Sequence, residues 1–87
     1  GEYKLSQNYP NPFRGETTIQ FTMPEREKVT LQVFNMNGVV VKTLINNVSK
    51  DKGTHAVNFF TASLPPGIYY YRIQAGSFTQ SNKMIVQ

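Results

Sequence analysis

The sequence predicts an all-β protein, an immunoglobulin-like antiparallel β-sandwich of about seven strands. Three observations point there. Apolar and polar residues alternate with a period of two in several short runs, of which Thr17-Thr18-Ile19-Gln20-Phe21-Thr22-Met23 is the cleanest. Turn-forming residues recur between the runs, at Arg14-Gly15, Pro24, Asn37-Gly38, Gly53, Pro65-Pro66-Gly67 and Gly76-Ser77. No stretch carries a helical period, and a single open sheet would leave one apolar face in water. No internal repeat is visible, which excludes a solenoid or propeller blade.

The chain has 87 residues, the size of one small domain spanning 1–87, with 1–16 expected as a proline- and asparagine-rich arm leading into the sandwich. It contains no cysteine, so disulfides, thiol nucleophiles and cysteine metal sites are excluded and the core rests on packing alone. Lysine and arginine number 9 against 5 acids, a formal charge of +4 with a pI near 9.6. Those cations are scattered from Lys4 to Lys83 rather than gathered with stacking groups on one face, so no nucleic acid partner is expected. No apolar run approaches the ~20 residues of a membrane helix, and the opening Gly-Glu-Tyr-Lys does not resemble a signal peptide. Membrane insertion is not expected.

Taken in order, Tyr3–Leu5 reads as extended and Arg14-Gly15-Glu16 as a turn. In the strand Thr17–Met23, Ile19, Phe21 and Met23 share the inner face, and Pro24 ends it because proline cannot donate to a ladder. Glu25-Arg26-Glu27 is a charged turn. The run from Lys28 to Asn35 repeats the alternation with Val29, Leu31 and Val33 inward, and Asn37-Gly38 predicts a hairpin into Val39–Ile45. In that second strand Val39, Val41 and Leu44 compete for the interior, and the broken alternation predicts a bulge near Lys42-Thr43. Asn46–Gly53 is polar and reads as the longest loop. His55, Val57 and Phe59 then share one strand face. Leu64-Pro65-Pro66-Gly67 is a rigid corner, after which Tyr69, Tyr71 and Ile73 point one way and Ile68, Tyr70 and Arg72 the other. Gly76-Ser77 turns the chain into a final strand with Met84 and Val86 inward.

The arm itself is the most specific stretch. In Gln7-Asn8-Tyr9-Pro10-Asn11-Pro12-Phe13 the prolines fix their own φ angles and push Tyr9 and Asn11 towards extended conformations, which excludes helix. Tyr9, Pro10, Asn11, Pro12 and Phe13 are therefore expected to form a stiff, stretched clamp on a sheet, Tyr9 or Phe13 covering the outer face of the tyrosine-rich strand. This heptapeptide resembles the opening signature of the C-terminal sorting domains carried by cargo of the type IX (Por) secretion system of Bacteroidetes-type bacteria. Further blocks are similar in the same order: Thr17–Phe21 with Met23-Pro24, Val29–Asn35 with Gly38, Gly53-Thr54-His55, Gly67-Ile68-Tyr69, and Lys83-Met84-Ile85-Val86. The chain departs from that pattern at Arg14-Gly15, where asparagine-proline is common, at Phe59, where tryptophan is common, and at Gln87, where a lysine or arginine usually stands.

The resemblance implies a non-catalytic sorting signal that directs an attached cargo protein through the periplasm and across the outer membrane, to be secreted or held at the cell surface. Its partners would be the fused cargo, the outer-membrane translocon and the associated sorting and cleavage machinery. Lys83, Met84, Ile85, Val86 and Gln87 are the expected recognition element, offering unpaired backbone to strand addition. The alternative reading is a carbohydrate-binding or cell-adhesion module of a secreted multidomain enzyme, with Phe60 and Tyr70 side by side as a sugar platform.

Residues for catalysis are sparse. His55 is the sole histidine and Asp51 the sole aspartate, and His55 reads as a core-rim residue rather than a general base. Glu25 and Glu27 stand beside Arg26 and Lys28 as a solvated cluster. Asn46, Asn47 and Asp51 fall short of the oxygen count for calcium. No enzyme, cofactor or metal is expected.

Overall fold

A computed structural model describes residues 1–87. The chain is all β, with β1 at Lys4–Leu5, β2 at Glu16–Met23, β3 at Glu27–Phe34, β4 at Val40–Lys50, β5 at Gly53–Phe60, β6 at Gly67–Ala75 and β7 at Phe78–Val86. Two antiparallel sheets pack as an immunoglobulin-like sandwich, one ordered β1-β2-β5 and the other β4-β3-β6-β7. The inward residues of the alternating runs meet between them. Ile19, Phe21 and Met23 face Val29, Leu31, Val33, Tyr69, Tyr71, Ile73, Met84 and Val86 in one cluster of 16 buried side chains. Each fully buried aliphatic or aromatic side chain contributes roughly 1.5–3 kcal/mol.

Turn chemistry sets the connections. At the β3–β4 hairpin, Gly38 alone takes positive φ, at 78°, and Asn35 organises the rest: its carboxamide oxygen accepts the N–H groups of Asn37 (2.9 Å) and Val39 (3.0 Å). The Tyr69 hydroxyl donates to the Pro65 carbonyl at 2.7 Å. This is the tyrosine corner that closes the turn into the equivalent strand of immunoglobulin-like sandwiches.

The stretch Asn46–Lys50 differs from its expected form. It is not a loop but the second half of β4, which pairs along β3 as far as Glu27↔Lys50. β4 lies at the edge of its sheet, where one side of the strand faces water and polar composition is tolerated. The expected bulge is present, and two further register shifts accompany it along the β3–β4 pair. They bring Ile45 into the core, with Val41 and Leu44 only partly buried and Val39 exposed.

Candidate functional site

Residues 4–13 do not lead up to the sandwich; they close its open side. β1 pairs with β2, the Ser6 N–H donates to the Gln20 carbonyl, and Tyr9 exchanges both backbone bonds with Thr18. The chain then bends through residues 10–12, where the Tyr9–Pro10 and Asn11–Pro12 peptide bonds are both cis, and joins the other sheet. There the Phe13 N–H donates to the Ile85 carbonyl (3.0 Å), and the Gln87 N–H donates to the Phe13 carbonyl (2.8 Å). One short segment thus belongs to both layers.

Each residue of the heptapeptide except Tyr9 has a side-chain task in this crossing or supplies its bend. The Gln7 amide donates to the Lys83 carbonyl at 2.7 Å. The Asn8 side chain is buried, and its amide donates to Thr17 Oγ1 (3.0 Å) and the Pro10 carbonyl (3.3 Å). Asn11 Oδ1 accepts the Ile85 N–H at 2.9 Å. Phe13 fills the core beside Phe59, ring centroids 6.4 Å apart. The Tyr9 side chain is 81% exposed.

Tyr71 is the hub of the buried polar groups. Its hydroxyl accepts the Asn8 N–H (2.8 Å) and the Asn82 amide (3.2 Å), and donates to the Ser6 carbonyl (2.7 Å). Burial raises its pKa above the ordinary tyrosine value, against smaller lowering by the Asn82 and Asn8 hydrogen bonds. Thr17 Oγ1 donates to the Pro10 carbonyl at 2.8 Å. No buried side-chain polar atom is left unpaired. Sequence reasoning missed this network. Its signal is the placement of Thr17, Gln80 and Asn82 in the inward register of their strands, where an apolar residue would be expected.

The closing strand is therefore not open as expected. The two-residue turn at Gly76-Ser77 makes Ala75 and Phe78 a hydrogen-bonded pair, so Thr79, Ser81, Lys83, Ile85 and Gln87 direct their backbone groups to the free edge. At Lys83, Ile85 and Gln87 the arm has taken the carbonyl, both groups, and the N–H respectively. Strand addition at 83–87 would have to displace the arm. Met84 and Val86 are core residues; Lys83 and Gln87 are exposed.

The other candidates fall apart spatially. Phe60 lies on the outward face of the three-stranded sheet and Tyr70 on the outward face of the four-stranded one, so the sandwich separates them and they form no common platform. Neither Tyr9 nor Phe13 covers Tyr70, because the arm docks along strand edges; Tyr70 remains 39% exposed. His55 stacks on Phe21 at 5.2 Å, its Nε2 bonded to the Asp51 carbonyl. Asp51 pairs with Arg26, and Asn46 and Asn47 lie within β4. No three His, Cys, Asp or Glu side chains gather to hold a metal. The one depression, lined by Glu27, Lys28, Thr30, Asn47, Gln74 and Gly76, contains no apolar residue.

The chain matches a family model, the secretion system C-terminal sorting domain, over residues 7–87. The chain belongs to that family. The match begins at Gln7, the first residue of the arm heptapeptide, and runs through the closing strand, so the sorting domain includes both the arm and the strand it bonds to. No curated protein matches the chain. Membership makes the chain a type IX sorting signal, carried by cargo to the secretion machinery for export across the outer membrane. The family is one of sorting domains, not of catalysts.

Proposed function

We propose that residues 1–87 form a single non-catalytic domain that addresses an attached cargo to the outer-membrane translocon as a folded shape, with the arm and the closing strand read together. The observation that carries this reading is the bonding of Phe13 and Asn11 to Ile85 and Gln87, which joins residues 7–13 and 83–87 into one surface. Within Lys83–Gln87, Lys83 and Gln87 contribute to recognition through exposed side chains at the edge the arm covers, and Met84 and Val86 anchor that edge in the core. Tyr9, Pro10, Asn11, Pro12 and Phe13 fix that edge. After export the domain is cut away by the sorting machinery and the cargo is released or anchored at the surface.

The test fuses residues 1–87 behind a periplasmic reporter in a bacterium with a working type IX system. The reporter should leave the cell, and a fusion lacking Met84–Gln87 should stay in the periplasm. Met84 and Val86 are core side chains, so this deletion removes shape and signal in one step. Export of the truncated fusion at the full level would remove the closing strand from recognition. Failure of the intact fusion to leave the periplasm would remove the sorting reading altogether.

A further inference from the structure

The outward face of the four-stranded sheet carries an uncovered apolar patch at the end of β3. Cross-strand register sets Val40, Phe34, Tyr70 and Lys83 in one row across all four strands. Ile68 continues the patch along β6. Val40, Ile68 and Tyr70 are 44%, 37% and 39% exposed, where one face of a sheet in a monomer is ordinarily polar. The Arg72 guanidinium lies over the Phe34 ring, 4.6 Å from its centroid.

The rim of this patch holds two cations, Arg72 and Lys83, and no acid. Neither Arg72 nor Lys83 is paired with a carboxylate; the chain's ion pair is Arg26–Asp51. Four of the five acids lie at the opposite end, interleaved with Arg26, Lys28, Lys50 and Lys52. Glu25 and Glu27 lie close enough to Tyr3 to raise its pKa, after the larger effect of desolvation, and Glu2 adjoins Tyr3 in the chain. Asp51 sits in the β4–β5 turn at the same end. Glu27 is seven positions from Phe34 along β3, roughly 23 Å. Glu16, the fifth acid, faces outward on the other sheet.

Resting on the sorting reading, we infer that this patch docks transiently on a protein of the export machinery whose apolar surface is flanked by carboxylates. Charge complementarity selects the partner: the rim is cationic and carries no acid. A second copy of the chain is disfavoured, because two such faces in apposition would set Arg72 and Lys83 against their own copies. A lipid surface is disfavoured because two cations provide weak attachment. Size sets the lifetime. Four strands about 4.8 Å apart and an eight-residue β3 give the face on the order of 500 Å², below the ~800 Å² per partner of a stable complex. A signal that is handed on needs such a contact.

The experiment uses the same reporter fusion with surface variants Ile68→Ser/Tyr70→Ser, Lys83→Gln and Lys83→Glu. Phe60→Ser, on the outward face of the other sheet and 65% exposed, serves as the control. Thermal unfolding of each purified 87-residue chain accompanies the export assay. The patch double variant should lower export at least tenfold, and Lys83→Glu should lower it more than Lys83→Gln. Phe60→Ser should change it less than twofold. Wild-type-level export by the patch variants, with the intact fusion exporting normally, overturns the docking surface and leaves the sorting function standing. So does a loss that merely follows the melting temperature on both faces alike. Sedimentation showing a wild-type dimer that the patch variants dissociate would reassign the patch to self-association. Binding of the wild-type chain to phosphatidylglycerol vesicles, lost in the variants, would reassign it to lipid.

Discussion

Tyr71 shows how one atom can connect parts of the chain that lie far apart in sequence. Its hydroxyl bonds Asn8 and Ser6 of the arm and Asn82 of β7. Removing that atom leaves buried partners without a bond, a loss of about 1–3 kcal/mol. Tyr71→Phe should therefore lower the urea midpoint of unfolding with little change in its slope. The pH dependence follows from the raised pKa. A tyrosine whose folded-state pKa lies above its unfolded value favours the fold fully below the unfolded pKa, near 10, and loses that contribution as pH rises through the folded value. Stability should thus fall in the alkaline range above about pH 10, and Tyr71→Phe should flatten that fall. An equally steep alkaline loss in the variant would place the cause elsewhere.

At the scale of the element, the arm behaves as an eighth pairing segment that belongs to neither sheet alone. Asn11 Oδ1 replaces a strand neighbour for the Ile85 N–H, and Phe13 does so for Gln87. Asn11→Ala should open the Ile85 amide to hydrogen exchange by about fivefold, the equivalent of roughly 1 kcal/mol for one hydrogen bond, and speed Gln87 less. Amides shared by β3 and β6 should be unchanged, since those strands lie in the middle of the sheet. Uniform acceleration across the chain would mean that the arm supports the whole fold rather than one edge.

The strands themselves were legible because burial of one face imposes a period of two. Ile19, Phe21 and Met23, or Tyr69, Tyr71 and Ile73, can be assigned without knowing their partners. The same logic failed at Asn46–Lys50, because an edge strand and a loop present similar polar compositions and only pairing to Glu27–Val29 separates them. The heptapeptide could be recognised as a unit, but its geometry could not be read. Asn8 meets Tyr71 across 63 positions, and nothing local to either residue encodes that meeting. The sugar pair Phe60 and Tyr70 failed for a related reason: both point outward, yet alternation does not say which sheet a strand joins.

For the whole molecule, the sandwich divides into an end of mixed charge, where Glu25, Glu27 and Asp51 lie among Arg26, Lys28, Lys50 and Lys52, and a cationic, partly apolar face around Arg72 and Lys83. The arm lock borders that face through the Gln7 bond to the Lys83 carbonyl. On the proposed reading export and fold are connected, since whatever loosens residues 7–13 also disturbs the strand that carries Lys83. The most direct measurement replaces residues 7–13 by a glycine-serine segment of equal length in the reporter fusion and compares the fraction of reporter outside the cell with that of the intact fusion. That fraction should fall to the level of a reporter with no domain attached. Export of the replaced fusion at the intact level would contradict it, because the signal would then lie in the closing residues alone and not in the shape the arm holds.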